Sequence, residues 1–326
     1  MLILKRLQAF GQQRPGSVAA LGVFDGLHLG HRAIIAKLLD LARRRSHDSV
    51  VVTFDPPPQA VLMNKNWPGY LTSLEEKEAI LEGLGLDVLA VIRFTPRVAQ
   101  LSPREFVARI FVEQLRVSHV VCGRDCGFGK GRSGNLSLLR SLGREYGFAV
   151  TEVRPCKYGG QKISSSLVRN LILAGQVDRA AAMLGRPYSL AGKVVVGRGL
   201  GRRLGFPTIN FEPDSWHRII PRSGVYAAEA VIEGGLYPGL LYVGTRPTLG
   251  LDEKRCLEFH ALKSKPPAVD EIRVRLLKII RPEQRFPSLE SLRQAMGHDA
   301  EQALRILEKV KPSLATAQGR AQKNGP

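Results

Sequence analysis

The feature that most constrains this fold is a change of rhythm part-way along the chain. In the first half, short apolar and β-branched runs at residues 18–24, 49–54, 88–94, 118–123 and 148–153 are separated by stretches with helical spacing. Strands that alternate with helices pair in parallel, and helices then cover both faces of the sheet. Ligands of such sheets bind beyond the carboxyl ends of the strands. Two helix starts are written out: Ser73 with Glu76, and Ser102-Pro103-Arg104-Glu105. Both have the capping-box spacing, and the second places Pro at the first helical position. In the second half, strand-like segments follow one another directly, at 190–197, 224–233, 236–244, 256–263 and 271–280. The last alternates Ile272, Val274 and Leu276 against Arg273 and Arg275, one face for a core and one for water. This pattern predicts a small antiparallel barrel or sandwich, closed by a helical pattern over 289–310. The chain therefore reads as an α/β domain (1–186), a β domain (187–311) and a polar tail (312–326) that is expected to be disordered. The boundary is placed at Arg186-Pro187, after a small helix near residues 180–184. With 326 residues, each domain is long enough to bury its own core.

Charge narrows the ligand class. Lys plus Arg is 48 and Asp plus Glu is 29, a net charge of +19. Such a field draws phosphates, whether of nucleotides, nucleic acid or an anionic membrane, without choosing among them. Aromatic residues are only 6% and no RNA-binding motif appears, so a dedicated nucleic-acid role is not expected. No apolar run approaches the roughly 18 residues of a membrane span, and the first residues lack a signal-peptide core. Four cysteines (Cys122, Cys126, Cys156, Cys256) do not make a disulfide framework in a chain this long. Cys122 and Cys126 have no second pair to complete a zinc site. A cytoplasmic protein with reduced thiols is expected.

Four stretches carry chemistry. Leu21-Gly22-Val23-Phe24-Asp25-Gly26-Leu27-His28-Leu29-Gly30-His31 leaves a strand and enters a helix. His28 and His31, three apart, share a face at the helix start, where free N–H groups favour phosphate. Two imidazoles there suit charge developing on an α-phosphate during nucleotidyl transfer. Lys162-Ile163-Ser164-Ser165-Ser166 precedes a helix bearing Arg169, and hydroxyls with a guanidinium can hold a triphosphate. Gly123-Arg124-Asp125 with Phe128-Gly129-Lys130-Gly131-Arg132-Ser133-Gly134 reads as a substrate-covering loop. In the second half, residues 197–210 join a Gly- and Arg-rich run containing Gly201 and Gly205 to Thr208 and Asn210, whose oxygens suit Mg²⁺. Gly244-Thr245-Arg246-Pro247-Thr248 is a loop of similar character. Glu258 lies on a strand among apolar residues, where a carboxylate beside a substrate hydroxyl would serve as a general base.

Taken together, these stretches resemble the bacterial bifunctional riboflavin kinase/FAD synthetase family, in family order from about residue 18 to about residue 299. The resemblance is carried by residues 24–31, 128–134, 163–166, Leu204-Gly205-Phe206-Pro207-Thr208-Ile209-Asn210, Gly224-Val225-Tyr226 and 244–248. It implies a Rossmann-like adenylyltransferase domain with a parallel sheet, followed by an antiparallel β-barrel riboflavin kinase domain closed by a helix. The second would phosphorylate riboflavin with ATP, with Glu258 as base, Gly201 and Gly205 at the ATP phosphates, and Thr208 and Asn210 holding Mg²⁺ and ATP. The first would adenylate FMN to FAD and release pyrophosphate. There His28 and His31 would be catalytic, Gly22, Phe24, Asp25, Gly26, Ser164, Ser165 and Arg169 would hold ATP, and Asp125, Phe128 and Arg132 would serve the flavin or its loop. Riboflavin, FMN and ATP are the implied partners, with no bound redox cofactor, no specific nucleic acid, no membrane, and a monomer or weak homo-oligomer. The chain departs from the family pattern at Pro57, where a His is usual, at Cys126, where an aromatic is usual, at Ser166, and at Leu262-Lys263-Ser264-Lys265-Pro266-Pro267. The alternatives are a riboflavin kinase whose first domain is degenerate or retargeted, and a class I aminoacyl-tRNA synthetase-like protein, in which residues 204–210 have no place.

Overall fold

The computed structural model describes residues 1–5, 16–63, 67–197, 200–215, 217–246 and 254–321. Arg198 and Gly199 of the Gly- and Arg-rich run, and Pro247 and Thr248 of the second loop, lie outside the described residues. The chain divides into two compact units, Met1–Ser165 and Ser166–Pro326. The helix Val177–Leu184 buries Val177, Ala180, Met183 and Leu184 and packs on barrel strands.

The first unit is built on strands β1 (Leu2–Leu4), β2 (Ser17–Leu21), β3 (Asp48–Phe54), β4 (Val88–Ile92), β5 (Val117–Gly123) and β6 (Ala149–Val153). They form one sheet in the order β1-β4-β3-β2-β5-β6, with parallel pairing throughout. Successive residues serve opposite faces. Val50 and Val52 enter one core with Phe106, Phe111 and Leu139, while Val51 enters the other with Ile35, Leu38 and Leu81. This is why the strands read as unbroken apolar runs rather than alternating ones. From β2 the chain builds outward to β3 and β4 on one side, and later to β5 and β6 on the other. The reversal opens a crevice at the carboxyl end of β2, where residues 22–28 lie. A two-stranded hairpin, β7 (Lys157–Tyr158) and β8 (Gln161–Lys162), precedes Ser164.

The second unit contains β9 (Tyr188–Val195), β10 (Ile209–Pro213), β11 (Gly224–Ile232), β12 (Gly235–Arg246), β13 (Lys254–Ala261) and β14 (Glu271–Pro282). They close into an antiparallel barrel in the order β10-β13-β12-β11-β14-β9, sealed by β10 against β9. The sequence offered barrel or sandwich, and closure decides for the barrel. Strand β10 was not expected: it is five residues long and ends on Pro213, inside what reads as a loop motif. Fully buried Tyr188, Leu190, Phe211, Tyr226, Phe259 and Val274 belong to its core. A second layer is made by Val225, Ala227, Leu240 and Leu277 against Ala303 and Leu307 of the C-terminal helix.

That helix runs Leu289–Ala321. It is tied to β14 by Arg281, whose Nε donates to both oxygens of Asp299 at 3.0 Å. The two side chains are only 19% and 6% exposed, so removing one leaves the other charge poorly solvated. Asp299→Ala should therefore cost about 3 kcal/mol, read as a lower urea midpoint with an unchanged slope.

Candidate active sites

In the first unit, the turn after β2 is held in unusual backbone geometry. Phe24, Gly26 and Leu27 have φ of 49°, 83° and 43°. Each of the two non-glycine residues there costs on the order of 1–3 kcal/mol. The turn is held by Asp25, whose Oδ1 accepts from the Leu71 and Thr72 amides at 2.8 and 3.2 Å. The Gly26 amide donates to Thr72 Oγ1 at 2.9 Å, and Lys77 Nζ donates to the Val23 carbonyl at 2.8 Å. Ser165 Oγ donates to the Asp25 carbonyl at 2.8 Å, bringing the serine stretch to the same turn.

The turn delivers His28 to the N-cap of helix Leu29–Arg45, where its Nδ1 accepts from the His31 amide at 3.2 Å. A ring nitrogen that accepts leaves the proton of a neutral imidazole on the other, so His28 presents Nε2–H. The His28 and His31 rings stack with centroids 3.7 Å apart, and Phe24 meets His31 edge-on at 5.2 Å. A Cβ at Gly30 would lie 3.1 Å from the His28 ring, so glycine there keeps the imidazole in place. Desolvation of its ring, then His28, then Lys77, hold the His31 pKa well below the ordinary histidine value. Burial, with Arg45 and Lys37, lowers His119 in the same unit.

Both histidines are thus neutral when folded and take up protons more readily when unfolded. The unfolded chain then binds more protons as pH falls below about 6.5, and stability drops between that value and the lower folded pKa values. We expect the melting temperature of the first unit to hold from about pH 8 to 7 and to fall towards about pH 5.5. His119→Gln should lessen that fall.

Beside the turn lies a cleft of about 240 Å³, lined by residues including Asp25, Phe54, Asp55, Pro57, Tyr70, Thr72 and Lys77. Lys77 and Thr72 are contributors that sequence reasoning missed. The spacing Leu74-Lys77-Leu81 was the available signal, since it aligns a lysine with a buried helix face.

The loop after β5 divides the expected contacts. Asp125 forms an ion pair with Lys162, and Arg132 Nη2 donates to the Asp125 carbonyl at 3.4 Å. Phe128 is 4% exposed and packs in the core with Phe106, while its backbone pairs with Gly134 across the loop. Ser164 lies between the hairpin and the helix Ser165–Leu173, while Arg169 is buried on that helix in the second unit.

The second unit gathers three of the expected residues, Thr208 just before β10, Asn210 on β10 and Glu258 on β13. Asn210 on β10 stands opposite Glu258 on β13. Thr208 Oγ1 donates to Glu258 Oε2 at 3.2 Å, and Asn210 Nδ2 donates to Thr208 Oγ1 at 3.3 Å. Cys256, two residues before Glu258 and so on the same face, donates its thiol to Oε1 at 3.1 Å. Both carboxylate oxygens are therefore engaged, and Glu258 is half-buried rather than outward-facing. A Cβ at Gly197 would lie 2.3 Å from the Asn210 amide, so that approach requires glycine. Gly197→Ala should displace Asn210 and lower phosphotransfer about tenfold or more, measured as kcat/KM. The turn bearing Gly201 and Gly205 closes on itself, with the Phe206 amide donating to the Gly201 carbonyl at 2.8 Å.

Comparison with known proteins decides the family. The FAD synthetase family model matches residues 11–167, and the riboflavin kinase model matches residues 184–307. The bifunctional riboflavin kinase/FMN adenylyltransferase of Pseudomonas fluorescens is 37% identical over 300 residues, covering 92% of this chain and 96% of that protein. Its namesake from Escherichia coli K12 is 37% identical over 304 residues, covering 91% and 95%. The chain belongs to the bifunctional riboflavin kinase/FMN adenylyltransferase family. A solved structure from Streptococcus pneumoniae, described as a macrolide-efflux protein, shares the fold with a TM-score of 0.83 at 27% identity, over 92% of this chain and 97% of that one. Among the described residues, no helix here is long and apolar enough to cross a membrane.

As a riboflavin kinase/FMN adenylyltransferase, the chain is a transferase whose parallel-sheet unit carries the FAD synthetase match and whose barrel carries the kinase match. Pro57, where the resemblance leads one to expect a His, lines the cleft, and Cys126, where it leads one to expect an aromatic, packs against the core cluster that contains Cys122.

Proposed function

We propose that the barrel phosphorylates riboflavin with ATP to give FMN, and that the first unit adenylates FMN with a second ATP to give FAD and pyrophosphate. The observation that carries this reading is the Thr208–Glu258–Asn210 cluster, a carboxylate on β13 with side-chain oxygens from β10 and the residue just before it. Glu258 takes the proton of the ribityl hydroxyl. That oxygen then forms its bond to the γ-phosphorus as the bond to ADP breaks. The oxygens of Thr208 and Asn210 fit a hard cation such as Mg²⁺, with the rest of its shell left to phosphate and water. Bound there, Mg²⁺ would offset the charge of the phosphates. In the first unit, His28 Nε2–H and the start of the helix Leu29–Arg45 meet the charge that develops on the α-phosphate. The backbone of Gly22 and Gly26 and the Ser164 and Ser165 hydroxyls serve the rest of that ATP, while Asp125 and Arg132 serve the flavin side.

The test is one chromatographic assay. Purified protein is incubated with riboflavin, ATP and Mg²⁺, and separately with FMN, ATP and Mg²⁺, and the flavins are separated. FMN and FAD from the first mixture and FAD from the second are expected. FMN without FAD would restrict the chain to the kinase reaction, the reading that Pro57 and Cys126 favour. No product from either mixture would overturn the proposal.

A further inference from the structure

Glu258 stands on a strand that is paired on both sides, to β10 and to β12. Its backbone is therefore fixed, and the freedom that remains lies in the side chain. The last torsion of a glutamate is broad, so a carboxylate held at one oxygen still swings. Here each oxygen has a donor of its own, the Thr208 hydroxyl at Oε2, 3.2 Å away, and the Cys256 thiol at Oε1, 3.1 Å away. The two donors differ in kind. Thr208 lies just before β10, and the proposed reaction gives its oxygen to the cation. Cys256 lies on β13 itself, two residues from Glu258 and on the same face. It is 5% exposed, so little water competes for the thiol. Its cross-strand partner is Gly244, where any side chain would run into the Tyr242 phenol. Tyr242 in turn stands opposite Glu258 and donates its hydroxyl to Glu283. The carboxylate thus rests on a surface of paired strands, and Cys256 is a donor built into that surface.

We propose that Cys256 is a positioning residue for the kinase reaction. By holding Oε1, it fixes the plane of the Glu258 carboxylate so that Oε2 faces the ribityl hydroxyl and takes its proton. The inference rests on Glu258 being the base. The thiol gives up no proton; it donates to Oε1 before and after Oε2 is protonated. Without it, the carboxylate turns about its last torsion, and the loss falls on the chemical step rather than on riboflavin binding.

The test is steady-state kinetics of riboflavin phosphorylation by variants of the full-length protein. Cys256→Ala should lower kcat about tenfold and leave the riboflavin KM and FMN adenylylation at native values. Cys256→Ser keeps a donor and should recover most of that loss. Cys256→Val fills the space without a donor and should not. A residue that only packs would give the opposite order, since serine buries a hydroxyl and valine an alkyl group. The comparison of serine with valine also decides the matter if the alanine variant folds poorly. In a Glu258→Gln background, Cys256→Ala should change the residual turnover by less than about twofold, because the thiol acts through the carboxylate. Native kcat in Cys256→Ala, or a serine variant no better than the valine one, would overturn the proposal. So would a loss that keeps its full size in the Glu258→Gln background. Glu258→Gln at the native rate would remove the base and this inference with it, whereas a silenced Glu258→Gln beside an intact Cys256→Ala would remove this inference alone.

Discussion

We expect Glu258→Gln to lower riboflavin phosphorylation by about 10²–10⁴-fold, the usual range for loss of a positioned general base, and to leave FMN adenylylation at its native rate. The amide keeps the size of the carboxylate and still accepts at its oxygen, so the Thr208 contact has a partner in the variant. What the amide lacks is the capacity to take a proton, so the loss belongs in kcat with little change in riboflavin KM. The melting temperature should stay near that of the native chain. If turnover survives the substitution, the proton leaves by another route and Glu258 serves only to orient Thr208.

The second large effect is expected at the other site. His31→Ala should lower FMN adenylylation by about 10²–10³-fold, comparable to losing one preorganised donor to a developing charge, while the kinase reaction persists. The substitution removes the ring that stacks on His28 and meets Phe24 edge-on, and so also loosens the imidazole that caps the helix. His31→Gln separates the two contributions, because it keeps a polar group of similar reach without the ring. Equal loss of both activities in His31→Ala would point to misfolding and remove the assignment. Glu258→Gln and His31→Ala thus form a crossed pair, each silencing one reaction and sparing the other.

Much of this could be read from residue order. The five apolar runs of the first half all appear as strands, because a sheet covered on both faces demands unbroken hydrophobicity. The alternation of Ile272, Val274 and Leu276 likewise located β14. Strand β10 escaped notice because it is short, sits inside the 197–210 motif and ends on proline, so local chemistry masked its pairing. At the proposed sites, His28, His31, Thr208, Asn210 and Glu258 were chosen from motif and family resemblance, and the structure brings Thr208, Asn210 and Glu258 into contact. Lys77 and Thr72 were not, because their roles depend on how the segment before helix Leu74–Gly83 packs against the β2 turn.

The closed barrel has a consequence for self-association. A strand at the rim of an open sheet carries unpaired N–H and C=O groups that can template another chain, and closure removes such rims. Every barrel strand here has two neighbours, with β9 and β10 sealing the ring. Among the described residues, the edge strands of the large sheet are therefore β1 and β6 of the first unit. Of these, β1 is three residues long and shows Leu2 and Ile3 to solvent at 43% and 38%. Aggregation by strand addition should begin there, and a charged residue in place of Ile3 should delay it without touching either chemical site.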